Sequence, residues 1–140
     1  MADEIQQFTE QLSEALDFKE DLQPDDNKIY TLRVSADLVI QYADLNPGLN
    51  LMSYLEPLPE ENKETFLMTL MRVNLFGKGT GGGVLGYDEE SRLLTFMQAI
   101  PYTLTYTNFK ESIEDFINYV ELWKEELHKL KDGKTSLLTI

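Results

Sequence analysis

A chain of 140 residues and 16.2 kDa is sized for one domain and can bury roughly two thirds of its unfolded surface without staples. It has no cysteine, which removes disulfides, thiolate metal sites and a cysteine nucleophile, and its 25 acids against 12 Lys and Arg leave a net charge of −13. Phosphate backbones and anionic lipid surfaces rely on basic patches and are disfavoured as partners, whereas a basic or at least non-acidic partner is favoured.

The same charge also keeps soluble a chain that is 42% hydrophobic. No apolar run approaches the ~18 residues of a membrane span, and Met1 to Asp17 is acidic and amphipathic, unlike a secretory leader. The expectation is a cytosolic protein with no membrane insertion and no nucleic-acid partner.

In chain order, Ala2 to Leu16 repeats apolar residues at Ile5, Phe8, Leu12 and Leu16, the spacing of an amphipathic helix. Asp17 to Asn27 breaks that period and holds the turn-forming run Pro24-Asp25-Asp26-Asn27, so it reads as a connector pinned by Phe18 and Leu22. From Lys28 the period becomes two, with Tyr30, Leu32 and Val34 alternating with polar residues. Leu38 to Tyr42 is a second strand, Asn46-Pro47-Gly48 a turn, and Leu49 to Leu55 a third strand with Leu49, Leu51 and Leu55 on one face. The three form an antiparallel meander whose second face carries Ile29, Val39, Met52 and Tyr54, apolar enough to be a candidate binding surface.

The stretch from Glu60 to Ile100 organises the rest. Pro59 leads into a helix with Glu60, Glu61 and Glu64 at its positive end, and Gly77 stops it. Phe66, Leu70 and Val73 can face one layer while Leu67, Met71 and Leu75 face another, which exceeds the ~100° stripe of a helix covered on one side. A second copy of the chain is the simplest source of the second layer, giving a symmetric homodimer. The alternative is a helix wrapped wholly inside one subunit. Val84 to Tyr87 and Arg92 to Ile100 then flank the turn Asp88 to Ser91, with Leu94, Phe96 and Ile100 on one face and Leu93 and Met97 on the other. The last helix takes Asn108 as N-cap, buries Phe109, Ile113, Phe116, Ile117, Val120, Trp123, Leu127 and Leu130, and stops at Gly133. The whole is α+β, in the order α-β-β-β-α-β-β-α, an antiparallel twisted sheet against helices. Residues 1–131 form one domain and 132–140 a loose tail.

Chemical motifs are weak. Gly77, Gly79 and Gly82 fit the letters G-x-G-x-x-G, but a helix precedes them and a strand follows, the reverse of a dinucleotide site. The run is read as a turn. Lys78 is followed by Gly79 rather than Ser or Thr, so the phosphate-loop pattern fails as well. His128, the only histidine, reads as solvated among charged neighbours. Asp25 with Asp26, and Glu89 with Glu90, lie in polar turns where nothing desolvates them. No nucleophile, base and orienter come together, and no metal or cofactor is implied. The weakest alternative is a hydrolase working through Asp88, Glu89 and Glu90.

The segment "LPEENKETFLMTLMRVNLFGKGTGGGVLGYDEESRLLTF", Leu58 to Phe96, carries a Leu-Pro lead-in, an apolar helix ending in Asn, a glycine turn, a Leu-Gly-Tyr strand and an acidic turn. With "FTEQLSEALDF" near the start and "YVELWKEEL" in the last helix, it resembles the class I type III secretion chaperones, the Tir-chaperone or CesT/SycE-like family. The resemblance runs from about Ile5 to Leu130, and the long glycine run departs from the pattern. It implies a homodimeric chaperone without ATPase activity that holds the N-terminal segment of a secreted effector in extended form. Carried over by position, effector contacts would fall on Ile5, Phe8, Phe18, Ile29, Val39, Met52 and Tyr54. Dimer contacts would fall on Leu67, Met71, Asn74, Leu75, Leu94 and Phe96. For each residue the plain alternative is core packing. The competing functional reading is a small α/β adaptor or regulatory domain that binds a folded partner.

Overall fold

The structure, a computed structural model, describes residues 4–16, 22–76 and 82–132. It contains α1 (Glu4–Leu16), β1 (Tyr30–Ser35), β2 (Leu38–Asp44), β3 (Leu49–Pro57), α2 (Lys63–Phe76), β4 (Val84–Asp88), β5 (Leu93–Ile100) and α3 (Tyr106–Lys131), the expected α+β order. The strands make one antiparallel five-stranded sheet, ordered β1-β2-β3-β5-β4.

Two-residue alternation decides what each face of the sheet carries. Tyr30, Leu32, Ile40, Tyr42, Leu49, Leu51, Leu85 and Phe96 share the buried face. Helices α1 and α3 cover it. α1 contributes Ile5, Thr9 and Leu12, and α3 contributes Phe109, Phe116, Val120, Trp123 and Leu127. Aromatic rings join the layers: Phe96 stacks on Phe116 at 5.3 Å, Tyr42 meets Phe109 edge-on at 5.6 Å, and Phe8 meets Phe109 at 5.5 Å. Each fully buried Leu, Ile or Phe contributes ~1.5–3 kcal/mol, so this face dominates stability.

Two glycines let backbone come close. At Gly48, φ is 106° and a Cβ would lie 1.8 Å from the Ile100 carbonyl oxygen; at Gly83 it would lie 2.4 Å from the Phe96 ring.

Some boundaries differ from expectation. Thr105, not Asn108, caps α3: the Asn108 N–H donates to Thr105 Oγ1 at 3.1 Å, and the Phe109 N–H closes the first turn on the Thr105 carbonyl at 2.9 Å. α2 starts at Lys63, because Asn62 takes φ 54° and its carbonyl accepts the Phe66 N–H. Arg92 stays in the β4–β5 turn at φ 61°, so β5 opens at Leu93. Phe18 with residues 17–21 of the expected connector, residues 77–81 of the glycine run and residues 133–140 of the expected tail lie outside the described residues.

Candidate functional site

An edge strand leaves backbone N–H and C=O groups without a ladder partner, and this sheet treats its two edges differently. At β4 the side chain of Asn74, from α2, acts as a strand would. Its Nδ2 donates to the Leu85 carbonyl at 2.6 Å and its Oδ1 accepts the Leu85 N–H at 2.8 Å. Helix α2 therefore lies against that edge, burying Phe66, Leu70 and Val73. At the other edge, among the described residues, β1 has only β2 as a strand neighbour, and its pairing is irregular between Arg33 and Ser35.

Beside β1 runs a groove of about 340 Å³, with walls formed by Leu12 and Leu16 of α1, Leu32 and Val34 of β1, and Ile113 and Ile117 of α3. Amphipathic spacing builds it. Leu12 and Ile113 point into the core, while the next positions along each stripe overhang the sheet edge. Leu16 is 52% exposed and Val34 39%, so apolar side chains line open space next to a strand edge. Such an arrangement can take an extended peptide, backbone along β1 and alternate side chains in the groove.

The residues carried over for effector contact divide into several places. Ile5 is in the core, and Phe8 is half-buried against Tyr106 and Phe109. Val39, Met52 and Tyr54 do share the sheet face away from α1 and α3. There Met52 pairs with Met97 and Met97 with Val84, extending the apolar strip to the β4 side. Tyr54, Met97 and Val84 are exposed, and Ile29, which precedes β1, is half-buried.

The carried-over dimer residues divide as well. Met71 and Leu75 are 68% and 78% exposed and form one stripe with Met68, while Leu67 is half-buried. Asn74 is committed to β4. Leu94 and Phe96 are a correction to the expectation: both are buried inside this chain at 1% and 0% exposure, Phe96 against Phe116 and Tyr119.

Sequence reasoning noted Leu16, Val34 and Ile117 only as members of their elements. The available signal was the double apolar step Phe116-Ile117, which makes the α3 stripe wider than one layer requires.

Two of the candidate carboxylates, Asp25 and Asp88, are occupied locally. Asp25 Oδ1 accepts the N–H groups of Asn27 and Ile29 at 2.8 and 2.9 Å. Asp88 Oδ2 accepts the Ser91 N–H at 3.2 Å, and hydrogen bonding to Ser91 holds the Asp88 carboxyl below its ordinary value. That is the opposite of the raised value a general acid requires. Exposed His128 lies 3.5 Å from Asp132. Among the described residues no three His, Cys, Asp or Glu gather as a metal site, and no helix is long and apolar enough to cross a membrane.

Comparison with solved structures finds the same architecture. A chain in the structure of the HopA1–SchA chaperone–effector complex superposes with a TM-score of 0.63 at 21% identity, covering 89% of this chain and 99% of that one. A chain of the ExsC–ExsE complex gives 0.74 at 14% identity, covering 87% and 92%. The heterodimeric ExoU–SpcU complex of the Pseudomonas aeruginosa type III secretion system gives 0.52 at 14%, covering 84% and 98%. At these identities the likeness is one of fold. A protein of Chlamydia pneumoniae is 32% identical over 69 residues, 49% of this chain and 52% of that protein, so the chain spans about half the length of the curated relative it matches. Residues 7–124, from the middle of α1 to the second half of α3, match the family model described as Tir chaperone protein (CesT). With the fold and most of its length in agreement, the chain belongs to the Tir chaperone protein (CesT) family, the type III secretion chaperones that its Leu58 to Phe96 segment resembles.

Proposed function

We propose that this protein is a cytoplasmic, homodimeric chaperone without catalytic activity that binds the N-terminal segment of a secreted effector in extended form and keeps it competent for type III secretion. The observation that carries this is the asymmetry of the sheet edges: among the described residues β4 is closed by Asn74 and α2, while β1 runs open along an apolar groove. An unfolded segment can satisfy its backbone there and bury alternate side chains against Leu16, Val34 and Ile117. Val39, Met52 and Tyr54 on the outer face, with Phe8 and Ile29, serve later stretches of the same segment. Residues 1–131 act as one chaperone domain. Met68, Met71 and Leu75, with Leu67 beside them, form the subunit contact, since an exposed apolar stripe on a helix calls for a second apolar surface.

The test is co-expression with candidate effectors, followed by limited proteolysis of what co-purifies. A protected stretch of about 50 to 100 residues near the effector's N-terminus, wrapped rather than folded, is the expected outcome of coupled binding and ordering. Leu16→Asp with Val34→Asp should abolish co-purification while the chain stays folded. A partner held through a folded domain, with no protected N-terminal segment, would replace this reading with that of an adaptor.

A further inference from the structure

The groove beside β1 is apolar on its walls but charged along its rim. Arg33 on β1 and Lys110 in α3 both line it, against one carboxylate, Glu114. Neither cation has an ion-pair partner among the described residues, where the ion pairs are those of His128 and Lys129. Lys110 is half-buried and Arg33 exposed. The chain as a whole carries twice as many acids as cations, so a local excess of positive charge at an apolar groove runs against its average. Screening decides which charge a ligand meets. At physiological ionic strength the Debye length is about 8 Å, so acids farther from the groove than that count little there.

We propose that the groove selects extended segments in which an aliphatic run is accompanied by carboxylates. The aliphatic side chains seat against Leu16, Leu32, Val34 and Ile117, and the carboxylates meet Arg33 and Lys110. This rests on the reading of β1 as the docking edge. A segment with lysines at those places meets two like charges and gains only Glu114, so discrimination comes from repulsion as much as from attraction. Rim ion pairs are individually weak, and the expected preference for an acidic over a neutral segment is about three- to tenfold.

The probe is one serine-flanked peptide of alternating valine and threonine, made in three versions with two threonines replaced by glutamate, glutamine or lysine. Each is titrated into the full chain by fluorescence anisotropy. Affinity should fall in the order glutamate, glutamine, lysine, and the spread should shrink in high salt. The doubly substituted chain Arg33→Glu with Lys110→Glu should reverse the order, although the three peptides on the unaltered chain already decide the matter. Equal binding of all three, weakened in each case by Leu16→Asp, overturns charge selection and leaves the docking edge standing. Absence of binding, or binding indifferent to Leu16→Asp and Val34→Asp, overturns both.

Discussion

Asn74 is one side chain standing in for a strand. Its amide matches a backbone peptide in having a donor and an acceptor side by side, which lets it satisfy both Leu85 groups at once. Asn74→Leu keeps the branching of the side chain and leaves those groups unpaired; the expected loss is about 1–3 kcal/mol in urea unfolding, with Asn74→Asp intermediate because it retains the acceptor. Tyr42 offers a pH-dependent counterpart. Burial pushes its phenol up to about 12 from an ordinary value of 10, and its hydroxyl lies 2.8 Å from Thr9 Oγ1. The folded state thus keeps a proton that the unfolded chain gives up near pH 10, so this contribution is complete below pH 10 and is lost as pH rises through about 12. Urea unfolding between pH 9 and 12 should show a falling stability whose slope flattens in Tyr42→Phe. Neither role was legible in the sequence. Asn74 was visible as a helix-ending polar residue, but its partner lies 11 residues on, across the glycine run, and only the fold brings them together.

Among the elements, α2 followed its sequence most closely. Its apolar residues outnumber one face, and the structure separates them into a buried set, Phe66, Leu70 and Val73, and an exposed set, Met68, Met71 and Leu75. In the proposed homodimer, Met71→Asp with Leu75→Asp should halve the mass seen in sedimentation without unfolding the subunit, because both side chains are already in solvent in the isolated chain. Phe96→Ala should instead unfold it, at a cost of about 3–5 kcal/mol, since that ring is fully enclosed. The contrast corrects the pairing of Phe96 and Leu94 with the α2 stripe. Alternation in β5 correctly placed them on a common face, yet periodicity does not say whether a face meets a neighbouring helix or another subunit. The start of α3 was misplaced for a similar reason: Thr105 and Asn108 are both good caps, and the choice is made by where Phe109 must sit against Tyr42.

For the whole molecule, charge and topology act together. A net charge of −13 on 140 residues strains the compact state by self-repulsion, and salt relieves it. The midpoint of thermal unfolding should rise by about 2–5 °C between 20 mM and 500 mM NaCl, measured by circular dichroism. Element order was readable from hydrophobic periods, which survive local irregularities such as the one in β1 between Arg33 and Ser35. The groove was not, since its walls come from three elements that are distant in sequence. Among the described residues the margin of β1 is uncapped, and this has a price beyond recognition. A ladder left open to a foreign strand is equally open to its own kind, so an idle subunit is a seed for polymerisation. Mutual repulsion between like-charged copies is the brake, and on the proposed reading an arriving effector segment would act as a stopper. Stocks of the protein should therefore keep best when saturated with their passenger, and worst near the isoelectric point, where the brake is released.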